Sequence, residues 1–318
     1  MPVIIKTALV SGLKKLVNSN ENLRKEITDF MFAKTPTNSN IDWSKAKIFV
    51  PCDPTAVRYI SKELTLLELI ILKEYLSKNP NAARPGIAYM GGNNGKYNRN
   101  SLETRMATLL CEANGYSIDP FKNGIESEII HKMVAEVLPD SVFGSVQEEK
   151  ESSNRKANWE NAIKKGFFKD VKTVVILSSA EYAVRSKGTL IASMKANGLN
   201  PNEYNIVSWP YTAKISSDAL KKVQEQLEIN LKVPAEGGIS DADNWTKSSW
   251  GIYRTFIEML SVRKYSQKGD VYLTPEQQEK LKEILSVKRL ALTLASTLAS
   301  EAKAKAVNLF KSKNAQRD

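Results

Sequence analysis

"TVVILS", residues 173–178, carries no charge and is β-branched at four of its six positions. A strand with one wet face would alternate apolar and polar residues. This run does not, so it reads as a strand buried on both faces, the usual condition in a parallel sheet. The downstream sequence fits. Residues 184–197 have helical spacing and end in Asn197 and Gly198, a good C-terminal cap, and "YNIVSW" at 204–209 is the next strand. A strand, a helix and a second strand form a crossover unit, which sets its two strands parallel.

The same alternation recurs upstream. "KIFV" (47–50) and "GIAYM" (86–90) are short buried strands, and "SKELTLLELIILKEYL" between them opens with a serine N-cap and becomes a helix. Helices are expected at 101–113 and at 126–138, the latter ended by Pro139. A strand near "VFGSVQ" (142–147) then precedes a helix capped by Ser153 or Asn154 and running through Ala162. The alternation predicts a three-layer α/β domain with a mainly parallel sheet over 41–272.

Both ends read as helical extensions. In 1–40, Leu9, Leu13, Leu16 and Val17, then Leu23, Ile27, Phe30 and Met31, recur at helical spacing before the linker "AKTPTNSN". In 273–318, Thr274 and Pro275 start a capped helix, and Leu290, Leu294 and Leu298 continue with a single apolar face suited to core packing or to a homo-oligomer. No run of about 18 apolar residues exists and no secretory leader is legible, so the chain reads as cytoplasmic.

Two cysteines, Cys52 and Cys111, and a single histidine, His131, argue against a disulfide framework, a zinc site and a histidine-based triad. His131 falls on the edge of its helix's apolar arc, as a partly exposed and chemically idle side chain would. The formal charge of +11 is scattered, as on a solvated surface, though it also suits a polyanion.

"GIAYMGGNNGKY" (86–97) runs a strand into a glycine-rich loop. Three residues rather than four separate Gly91 from Gly95 and Tyr97 follows Lys96, so it is no Walker loop; nor does it match the dinucleotide fingerprint. It is either a plain turn or a nest of backbone N–H groups open to an anion. Further polar concentrations lie at 148–162 and at "ILSSAEYAVRS" (176–186). In the latter, Ser178 and Ser179 end the best strand and Arg185 sits early in the next helix.

Taken in order, these stretches resemble the YdcF/SanA/ElyC family of bacterial proteins over roughly 46–265. Gly91 and Gly92 resemble the family's double glycine, Ser127 and Glu128 its Ser-Glu element, Glu151, Ser152, Asn154 and Asn158 its Glu-Ser-x-Asn-Thr-x-Glu-Asn element, and Ser179 and Arg185 its Thr-Ser-x-x-His-x-x-Arg element. "YRTFIEMLSVRKY" (253–265) looks like its closing helix. Arg155, Ala157 and Tyr182 replace the family's Thr, Glu and His, and residues 96–124 look inserted.

The resemblance implies a Rossmann-like domain whose strand ends receive a nucleotide-like or phosphorylated anion. Asp53, Gly91, Gly92, Asn93, Ser152, Asn154, Asn158, Ser179, Tyr182 and Arg185 would line that pocket. Hydrolysis or group transfer would fall to Glu128 or Glu151 as base. No cofactor is specified. The alternative is a basic interaction module, binding nucleic acid or a protein through its helical ends, with steeply salt-dependent affinity.

Overall fold

The computed structural model describes residues 12–32, 42–51, 72, 76–92, 125, 127–128, 131, 134–135, 138–211, 245–247 and 249–286. Five strands, β1 (Ala46–Pro51), β2 (Gly86–Met90), β3 (Ser145–Glu149), β4 (Thr173–Ser179) and β5 (Asn205–Tyr211), form one sheet. The sheet order is β3-β2-β1-β4-β5 and every neighbouring pair is parallel. β1 is central, with Ile48 opposite Ile87 on one side and Val175 on the other.

Alternate strand residues face opposite layers, as the pleat requires. On one face Ile48, Val50, Ile87, Tyr89, Val175 and Leu177 pack with Leu72, Val134, Leu138 and the edge-to-face pair Trp43 and Trp209. On the other, Phe49, Ala88, Met90, Val174 and Ile176 pack against helices α2 (Arg155–Lys164) and α3 (Ala183–Ala196) through Trp159, Ala162, Leu190 and Met194. The expected three-layer, Rossmann-like α/β arrangement is therefore present. Asn197 ends α3 and Gly198, at φ 76°, takes the left-handed conformation that glycine adopts without a steric penalty.

β3 begins later than its sequence suggests. Val142 and Phe143 donate back to Pro139 and Asp140, closing a 3-10 turn over Asp140–Val142, and pairing with β2 starts only at Ser145. The remaining strand, "SVQEE", is a polar edge strand whose last residue, Glu149, is fully buried.

The chain divides into two compact units, Met1–Phe30 with Thr274–Asp318, and Met31–Leu273. Residues 12–19 are helical, and α1 (Glu21–Met31) starts where Asn20 Oδ1 accepts from Leu23 N. Leu16, Val17, Leu23, Ile27, Phe30 and Met31, residues whose spacing predicted these helices, are buried. Among the described residues, β5 is followed by α4 (Ser249–Gln267) and α5 (Pro275–Ile284). Thr274 and Gln277 form a reciprocal capping box at the start of α5. The helix expected at 101–113, most of the one at 61–76, both cysteines and residues 287–318 lie outside the described residues. Among those described, no helix is long and apolar enough to cross a membrane.

Candidate functional site at the carboxyl ends of the strands

All five strands point the same way, so their carboxyl ends share one edge. From β1 the chain moves outward to β2 and β3, then returns to the other side of β1 for β4 and β5. Open parallel sheets take ligands at such a reversal, outside the strand ends. Two polar clusters stand along this edge.

The first follows β4. Tyr182, in the 3-10 turn Ala180–Tyr182 that leads into α3, is buried. Three guanidinium groups surround its ring: Arg155 at the first residue of α2, Arg185 in the first turn of α3, and Arg254 on α4. Their central carbons lie 4.7, 4.9 and 5.2 Å from the ring centroid, within cation–π range. Two carboxylates, Glu181 and Glu258, are buried there too, and Arg185 Nε lies 2.5 Å from Glu258 Oε1. Among the described residues the cluster thus gathers three guanidinium groups and two carboxylates. Guanidinium presents planar donors in a fixed fork, a geometry suited to holding an anion. Ser178 of β4, Ser186 of α3 and Thr255 of α4 are buried, and their hydroxyl oxygens have no hydrogen-bond partner among the described residues.

The second cluster follows β2 and β3. Gly91 N donates to Glu149 O at 2.9 Å, continuing the ladder with β3, and Gly92 N donates to Ser152 O at 3.0 Å, tying the loop to the turn that follows β3. The approach admits no side chain: a Cβ on Gly92 would sit 2.5 Å from Ser152 O and 2.6 Å from Lys150 O. Glu149 Oε1 accepts from Glu151 N, Ser152 N and Asn161 Nδ2 at 2.8, 3.1 and 3.1 Å, and Lys165 Nζ stands 3.8 Å away. Its other oxygen, Oε2, is buried without a partner among the described residues. Ser152 Oγ donates to Asn158 Oδ1, and both residues are buried. Ser127 N donates to Gly91 O at 2.9 Å, while the fully buried Ser127 Oγ is likewise unpartnered among the described residues.

Beside this cluster runs a chain of charges. His131 Nδ1 lies 2.5 Å from Glu148 Oε1 and its Nε2 lies 2.8 Å from Asp140 Oδ1, while the ring stacks on Tyr89 at 4.5 Å. Lys150 bridges Glu148 at 2.6 Å and Glu128 at 2.7 Å. Burial alone would lower the imidazole pKa, but the hydrogen bonds and charges of Glu148 and Asp140 outweigh it and raise the pKa above its usual value. Burial, with the nearby charges of Asp140 and Glu148, pushes the Tyr89 phenol well up.

The residues singled out in the sequence thus divide. Tyr182 and Arg185 join in the first cluster. Gly91, Gly92, Ser152 and Asn158 join in the second. Asn154 accepts from Ala157 N at 3.0 Å as the N-cap of α2, the capping role open to it in the sequence. Glu128 and Glu151 have side chains 43% and 72% exposed and are held by Lys150 and Lys165, whereas Glu149, which lies between them in the chain, is buried. The backbone of Ser179 ends β4. Asp53 and Asn93 lie outside the described residues. Arg254 and Glu258 were not foreseen. Their signal was two opposite charges four positions apart inside the otherwise apolar "WGIYRTFIEML".

Among the described residues no group of histidine, cysteine and carboxylate side chains is arranged to hold a metal ion. No family model, curated protein or solved structure matches the chain.

Proposed function

We propose that the protein binds a small anionic ligand, phosphorylated or nucleotide-like, at the carboxyl edge of its sheet, with Arg155, Arg185 and Arg254 holding the anion. The observation that carries this is the convergence of three guanidinium groups on the Tyr182 ring from three different helices, next to the point where the strand order reverses. Arg155 and Tyr182 are two of the positions where the chain departs from the YdcF-like pattern, and here they touch. Under this reading the departures rebuild the pocket around charge in place of an imidazole.

Inorganic phosphate and nucleoside monophosphates titrated calorimetrically test the proposal. Arg155→Ala should weaken binding at least tenfold, as loss of a charge-assisted contact of about 1.5–3 kcal/mol implies. Arg185→Ala is a poorer probe because it strands the buried Glu258; the paired Arg185→Gln/Glu258→Gln variant avoids that and should also bind weakly. No binding by the native protein, or unchanged affinity in both variants, overturns the proposal.

A further inference from the structure

The arginine cluster accounts for one end of a ligand. Glu149 and Ser127 carry features that it does not use. Both side chains are fully buried, and the backbones of both residues bond to Gly91, which donates its N–H to Glu149 O and accepts from Ser127 N through its own carbonyl. One oxygen of the Glu149 carboxylate is saturated by three N–H donors. The other has none among the described residues, and the Ser127 hydroxyl is equally without a partner there. A carboxylate needed only to tie the turn 149–152 would be complete with Oε1. Leaving a second buried carboxylate oxygen unmet is costly unless something else donates to it.

Resting on the anion-binding reading above, we infer that Glu149 and Ser127 form a second subsite that takes a hydrogen-bond donor, a hydroxyl or amino group, on the same ligand. The sheet sets the ligand's reach. β3 and β4 are three strand spacings apart in the order β3-β2-β1-β4, which is about 14 Å. Helix α2 connects the two subsites, with Arg155 on Tyr182 at its start and Asn161 on Glu149 farther along. A phosphorylated compound with donor groups at its far end, on the scale of a nucleoside monophosphate, spans this distance; inorganic phosphate and a triose phosphate do not.

The test compares inorganic phosphate with adenosine and guanosine monophosphates as calorimetric probes on the native protein, Glu149→Gln and Ser127→Ala. Glu149→Gln keeps the shape of the side chain but offers an amide in place of one carboxylate oxygen, and thermal melts verify that each variant is folded. The expected result is that native protein binds at least one nucleotide ten or more times more tightly than phosphate. Both variants should lose that gain while holding phosphate as before.

An equal loss for phosphate and nucleotide would make Glu149 a purely structural tie and overturn the inference, as would nucleotide affinity unchanged in both variants. Native protein that binds phosphate and nucleotide equally would also overturn it while leaving the arginine site standing. Native protein that binds neither removes both. Should Glu149→Gln fail to fold, Ser127→Ala, which removes a single hydroxyl, decides alone.

Discussion

His131 stands between two carboxylates, so its protonation governs two contacts at once. Its folded pKa is raised, and such a group contributes stability that is fully present below its unfolded value of about 6.5 and is lost as pH rises through the folded value. Glu148 works from the other side. Burial opposes its charge, but hydrogen bonds and charge from Lys150 and His131 prevail and lower its pKa, so its contribution is present above the unfolded value and lost on acidification. The clasp should be strongest in mildly acidic solution. Melts of native protein and His131→Gln from pH 5 to 9 should differ most near pH 6 and converge on the alkaline side; a constant difference would mean that the imidazole acts through packing on Tyr89 alone. None of this was legible from the helix of His131, because its partners lie 9 and 17 positions away, one in a 3-10 turn and one on a strand.

At the scale of elements, the start of α2 joins stability to the site. Asn154 caps it, the next residue is Arg155, and Asn158 and Asn161 reach the exit of β3. Asn154→Ala should cost about 1 kcal/mol in urea denaturation, the ordinary loss for an N-cap, and should also weaken anion binding by loosening Arg155. Lost stability with intact affinity would separate the cap from the site. Elements with strong local signals were readable: β1, β2 and β4 from uninterrupted apolar runs, α2 and α5 from their caps, α3 from its terminal Asn-Gly. β3 was placed only approximately because a polar edge strand lacks the apolar alternation that marks a strand. The contribution of α4 to the site was hidden because helical periodicity does not say which neighbour receives a face, and Arg254 and Glu258 acquire meaning only once Tyr182 and Arg185 are beside them.

For the molecule as a whole, composition conveyed a globular chain, and the repeated strand–helix grammar conveyed parallel pairing. The order of strands was not in that grammar. It is set by which apolar face meets which, a property of the assembled chain. The order has a consequence in time. β1 pairs with β2 about 40 positions later, but its other edge waits for β4, whose Thr173 pairs with Ala46. On a ribosome adding about 5–20 residues per second, the central strand of the sheet spends roughly 6–25 s with one side bare. Nascent chains halted with residue 172 as the last to emerge should be cut readily near 46–51, and chains halted beyond Tyr211 should resist. Chaperone demand during synthesis would then be concentrated in that interval, and a rare-codon pause inside it would endanger the protein more than the same pause placed after β5.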